Sequence, residues 1–179
     1  MSWAENLTAS EPVLVLVGPM GSGKSSVGRR VARELELTFA DTDKAIAAAH
    51  GPISEIFAEH GEERFREWER EAVAEAIAAG GVVSVGGGAV VTAETRSLLR
   101  EVPVVLLTVS AEAVAERITN SERPLLLGDG AESPVQRWER IMHERRAWYE
   151  EVADATFDTS RMPMSHIARD IAEWMRGRA

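Results

Sequence analysis

Gly18-Pro19-Met20-Gly21-Ser22-Gly23-Lys24-Ser25 matches G-x-x-x-x-G-K-[ST] at every fixed position. The apolar run Val13-Leu14-Val15-Leu16-Val17 stands before it, and a helical pattern of Val27, Val31 and Leu35 follows. A buried strand, a glycine turn and a helix in that order leave few folds open. The residue types suit phosphate: glycines let backbone N–H groups close around its oxygens, and the helix N-terminus adds free donors and a positive dipole. Lys24 supplies a mobile charge for the β- and γ-phosphates, and Ser25 a hydroxyl for Mg²⁺. The competing reading is a glycine turn that matches by chance.

The rest of the chain repeats that alternation. Strand-like runs occur at Thr38-Phe39-Ala40, Val82-Val83-Ser84-Val85, Val104 to Val109 and Ala155-Thr156-Phe157-Asp158. They are short, continuous and β-branched, as in strands buried on both faces of a parallel sheet. Helical patterns lie near 24–36, 43–49, 53–60, 62–79, 92–101, 111–118, 133–151 and 163–177. This order predicts an α/β layered domain with right-handed crossovers. All 179 residues read as one domain, without linker or repeat. Residues 119–134, TNSERPLLLGDGAESP, interrupt the rhythm. A loop of that length is expected to be either a lid carrying Arg123 or a plain surface connection.

Charge narrows the partners. A formal net charge of −9 argues against nonspecific nucleic-acid binding and against docking to an anionic membrane. An anionic ligand must be held by local arginines against that field. With no cysteine, the chain has no disulfide, thiolate catalysis or cysteine-based zinc site. Residues 1–12 lack the basic and apolar regions of a secretory signal, and the apolar runs are too short to span a bilayer. A cytoplasmic, soluble protein is expected. The four histidines, His50, His60, His143 and His166, are expected on the surface or in packing.

Three further segments carry candidate chemistry. Asp41 and Asp43 stand two apart where the second strand ends; if the chain stays extended there, both point the same way. Asp41 can hold Mg²⁺ and Asp43 can meet an acceptor hydroxyl, or one of them N-caps the following helix. Arg66 and Glu69 share a helix face, as a fixed guanidinium for a carboxylate ligand or as a solvated ion pair. Gly86-Gly87-Gly88 follows a buried strand, which suggests close backbone approach to a ligand or a tight turn. Trp68 and Trp148 read as packing residues.

Taken together, GPMGSGKSSVGR (18–29), DTD (41–43), ISEIFAEHGEERFREWE (53–69), SVGGGAV (84–90), ERPLL (122–126) and ERRAWYEEVA (144–153) resemble the shikimate kinase family in order and spacing. The resemblance implies a nucleoside-monophosphate-kinase-like α/β/α sandwich with a five-stranded parallel sheet, a substrate-binding region at about 42–80 and a lid at about 119–134. It implies transfer of the γ-phosphoryl of ATP to the 3-hydroxyl of shikimate, with Mg²⁺, in a monomer that acts on small molecules. Nucleotide contacts are implied for Gly21, Ser22, Gly23, Lys24, Ser25 and Ser26, with Arg117 and Pro163 flanking adenine. Ser25 and Asp41 would serve the metal. Lys24, Asp43 and Arg123 would be catalytic, with Asp43 orienting the hydroxyl. Arg66 and Arg145 would clamp the substrate carboxylate beside Gly86, Gly87 and Gly88. Arg145 is preferred to Arg146 because it lies four before Tyr149. Ala147-Trp148 departs from the family's proline-leucine, which concerns helix packing. A kinase of another sugar acid such as gluconate, and a nucleotide-binding regulator without turnover, are the competing expectations.

Overall fold

The computed structural model describes residues 12–118 and 132–178. Five parallel strands form one sheet in the order β2-β3-β1-β4-β5: β1 (Val13–Val17), β2 (Phe39–Asp41), β3 (Gly81–Ser84), β4 (Val104–Thr108) and β5 (Ala155–Asp158). The helices between them are α1 (Lys24–Leu35), α2 (Thr42–His50), α3 (Ile53–Ala79), α4 (Ala93–Leu99), α5 (Ala111–Ile118), α6 (Pro134–Val152) and α7 (Met164–Arg176).

The two-residue period of a strand divides the core into two layers. Leu14 and Leu16 of β1 face one side, where Val27 and Val31 of α1 and Ile167 and Ile171 of α7 cover them. Val15 and Val17 face the other, packed with Val73 of α3, Leu99 of α4 and Tyr149 of α6. Leu14, Val15, Leu16 and Val17 are fully buried, so truncating Leu16 to Ala should cost about 2–5 kcal/mol. This is the expected three-layer arrangement, with β1 at the centre. It brings the phosphate loop, the end of β2 and the turn after β3 together at the carboxyl ends of the parallel strands.

The structure differs from the sequence expectations in a few places. The second strand is shifted to Phe39–Asp41, and the helix after it begins at Thr42. The acidic pair is therefore not extended. Asp41 ends the strand and caps α2, accepting from the Lys44 amide at 3.3 Å, while Asp43 lies in the first helical turn. The helices expected at 53–60 and 62–79, in contrast, are present as expected, the two parts of α3 meeting at a kink at Gly61 (φ 80°, ψ 170°). A left-handed φ of that size is one that glycine adopts without penalty. A 3-10 turn, Ala89–Val91, follows the glycines and shortens the next helix to Ala93–Leu99. His50 stacks on Trp68 at 3.7 Å and His60 meets the same ring edge-on at 5.4 Å, so both serve packing.

Candidate active site

The phosphate loop connects β1 to α1. Gly18 (φ 149°), Gly21 (φ 80°) and Gly23 (φ 87°) hold conformations that side chains disfavour. Gly23 sits at the N-cap of α1, no side chain caps that helix, and its first turn has no acidic residue. Its leading amides and dipole are thus offered outward.

The loop's carbonyls, in contrast, are tied down. Lys24 Nζ donates to Gly18 O (2.8 Å) and Pro19 O (3.1 Å), and Ser22 Oγ donates to Pro19 O (2.8 Å). Trp138 Nε1 donates to Met20 O (2.7 Å), Arg117 Nη1 to Gly21 O (2.7 Å) and Thr159 Oγ1 to Ser22 O (2.8 Å). With its acceptors held by side chains, the loop is left to present donors, as an anion requires. Arg117 also donates to Thr159 O at 2.6 Å, so it joins the loop to the segment after β5. Pro163 is the N-cap residue of α7; the next residue, Met164, lies so close to Gly23 that a Cβ there would meet its Cε at 2.8 Å. Arg117 therefore borders the loop directly, and Pro163 is next in the chain to a residue that does. The Ser26 hydroxyl accepts from Arg30 Nη1 at 2.6 Å.

Ser25 Oγ donates to Asp41 Oδ2 at 2.7 Å. Two hard oxygens side by side at the first turn of α1 suit Mg²⁺, which takes one or two protein oxygens and completes its octahedron from phosphate and water. No group of three or more His, Asp or Glu able to hold a metal occurs among the described residues. The donor set therefore fits a metal that arrives with phosphates rather than one in a protein cage.

Beyond the loop the side chains change character. A Cβ on Gly86 would lie 2.6 Å from Asp43 Oδ1 and 3.0 Å from Glu69 Oε1, and one on Gly88 would lie 2.5 Å from Arg66 Nη1. The glycines are required because charged side chains press against the turn. Gly87 faces the phosphate loop; its Cβ would lie 3.4 Å from the Met20 amide nitrogen. Arg66 Nη1 donates to Glu69 Oε2 at 2.6 Å, with the two side chains 10% and 1% exposed. That burial excludes the solvated ion pair. Arg66 Nε is buried without a hydrogen-bond partner, a donor left for a ligand.

Burial governs the titration of this group. It raises the Asp43 carboxyl despite the opposing charge of Lys24, with Asp41 adding to the rise and Arg66 also opposing it. It pushes Glu69 up to about 7, against the charge of Arg66 and its hydrogen bond. Arg145 acts on both Glu69 and Tyr149, which places its charge beside the same cluster. Arg146, exposed, pairs instead with Glu150 at 3.0 Å. Arg123 lies outside the described residues. The sequence reading missed Trp138, Tyr149 and Thr159, whose contacts with the two turns span 62 to 137 positions of chain. No local sequence signal marks these contacts, because the acceptors are backbone carbonyls distant in the chain.

Comparison with known proteins agrees with this geometry. The shikimate kinase family model matches residues 20–176. A shikimate kinase of Corynebacterium efficiens is 45% identical over 162 residues, covering 89% of this chain and 94% of that protein. One of Streptomyces coelicolor is 45% identical over 153 residues, covering 84% and 87%. The solved shikimate kinase from Acinetobacter baumannii in complex with shikimate superposes with a TM-score of 0.87 at 32% identity, over 94% of this chain and 95% of that one. With a family model spanning most of its length and relatives this similar, the chain belongs to the shikimate kinase family.

Proposed function

We propose that this protein transfers the γ-phosphoryl group of ATP to the 3-hydroxyl of shikimate, giving shikimate 3-phosphate and ADP. The observation that carries the reading is the meeting of two unlike surfaces at the carboxyl ends of the strands. A donor-rich phosphate loop abuts a buried cluster of Asp43, Arg66 and Glu69 around a glycine turn. A hydroxylated carboxylic acid matches the second surface, with its carboxylate at Arg66 and Arg145 and its hydroxyl at Asp43. The likeness to the Acinetobacter baumannii enzyme, solved with shikimate, supports that choice over gluconate.

Phosphoryl transfer asks for alignment and charge neutralisation more than covalent chemistry. Lys24 would swing from the loop carbonyls to the phosphates. Asp43 would aim the acceptor hydroxyl and, with its raised pKa, is suited to taking up the hydroxyl proton as the bond forms. Ser25 and Asp41 would hold Mg²⁺, which supplies charge neutralisation on the phosphates. The adenine-flanking roles of Arg117 and Pro163 rest on the resemblance, supported by the hydrogen bond of Arg117 to Gly21 O. The role of Arg123 toward the transferring phosphoryl rests on the resemblance alone. We further propose a cytoplasmic monomer with no nucleic-acid or membrane partner. The negative net charge supports the last two points, since it disfavours nucleic acid and anionic membranes; among the described residues no helix is long and apolar enough to cross a membrane.

ADP release with Mg·ATP, measured with shikimate, gluconate and no acceptor, tests the reading. Turnover with shikimate alone is expected. Turnover with gluconate instead would overturn the assigned acceptor pocket, and silence with both would favour a nucleotide binder without turnover.

A further inference from the structure

Helix α6 touches both halves of the site. Trp138 and Tyr149 are eleven positions apart, which at 100° per residue leaves them roughly 20° apart around the axis. Met142 and Arg145 fall on the same stripe. Both aromatic side chains are buried, at 5% and 1% exposure, and each spends its single polar hydrogen on a backbone carbonyl. The Trp138 indole donates to Met20 O of the phosphate loop, and the Tyr149 hydroxyl donates to Gly87 O of the glycine turn. These turns touch each other, with Gly87 against the Met20 amide and the Gly18 carbonyl. Burial also holds the Tyr149 phenol up at about 12, so it stays a donor at any working pH.

We infer that α6 is a splint setting the registry between phosphate donor and acceptor, with Trp138 and Tyr149 as its two positioning residues. Neither side chain need touch a substrate. Trp138 holds the loop that receives the nucleotide, and Tyr149 holds the turn that backs the acceptor while standing one helical turn from Arg145. One rigid element thus fixes two turns from opposite sides of the reaction. Small errors in that registry are costly, because transfer depends on near-attack alignment. The inference rests on the proposed function for its acceptor half only.

The experiment compares Trp138→Phe and Tyr149→Phe, each of which keeps an aromatic ring and removes the donor. Trp138→Phe should raise the KM for ATP about fivefold and leave the KM for shikimate within about twofold. Tyr149→Phe should do the reverse, and either variant should lower kcat about fivefold as the registry slips. Equal shifts in both constants, or a lowered Tm with neither KM changed, would overturn the splint and leave ordinary core packing. If Trp138→Phe does not fold, Tyr149→Phe decides alone, since it loses a single oxygen. ADP affinity, measured without acceptor, separates the two readings. Trp138→Phe should weaken ADP about fivefold and Tyr149→Phe should not, even if shikimate proves to be the wrong acceptor. Unchanged ADP affinity in Trp138→Phe would overturn the nucleotide half.

Discussion

The phosphate loop occupies eight consecutive residues, whereas the proposed acceptor side draws Asp43, Arg66, Glu69, the glycine turn and Arg145 from four separate segments. The loop works through its backbone, with the uncapped start of α1 offered to a ligand and the loop carbonyls tied down by side chains. The acceptor cluster works through buried charges, two of them carboxyls held above their ordinary range. A backbone cradle recognises any polyphosphate, so the loop carries reaction type. Side-chain charges in fixed positions recognise one acceptor, so the cluster carries specificity. Damage to the two regions should show in different kinetic constants.

The largest effect is expected from Lys24→Ala. It should lower kcat by about 10³-fold or more, read as ADP release from protein with an unchanged circular dichroism spectrum. Asp43→Asn comes next. A kcat reduced about 10²- to 10³-fold with near-normal ATP affinity would place Asp43 at the reacting hydroxyl, and near-normal turnover would remove it from that role. Arg145→Ala should act on the other constant, raising the KM for shikimate about 10- to 100-fold. Arg146→Ala, at the exposed pair with Glu150, should leave it unchanged, and equal effects would mean the carboxylate clamp is misplaced.

The last effect concerns stability rather than turnover. Glu69 holds its proton more tightly in the folded protein (about 7) than at its ordinary value of 4.5. The folded state therefore binds more protons between those values, and stability falls as pH rises from about 4.5 through about 7. Relative to Glu69→Gln, the wild type should lose up to roughly 3 kcal/mol across that window. Denaturant midpoints at pH 5 and pH 8 check this, and parallel curves for the two proteins would show that Glu69 is not shifted.

The same contrast explains what was legible beforehand. The strand, loop and first helix were readable because their signals are contiguous, and the alternation of apolar runs gave the layered sheet. Arg66 and Glu69 were visible as a pair, but their spacing is equally that of a surface ion pair, and only the fold buries it. Asp41 and Asp43 were found with separate candidate roles, while their geometry was not, since α2 starts at Thr42 and so leaves Asp41 as its cap and Asp43 in its first turn. Trp138 and Thr159 could not be read at all. Each donates to a carbonyl more than a hundred positions away, and the acceptors are backbone atoms that every residue carries.

Gly23 at the head of α1 has a consequence for the protein as a folding unit. A serine or aspartate at that N-cap would secure about 1 kcal/mol for the helix, and this chain forgoes it in favour of open amides. The capping group is then supplied by whatever anion settles there, so the nucleotide becomes part of the folded protein's own structure. Melting temperature should consequently climb with ADP concentration as a mass-action effect. Amides of the first turn of α1 should be among those whose hydrogen exchange slows most, because the substrate closes a helix that the polypeptide leaves open.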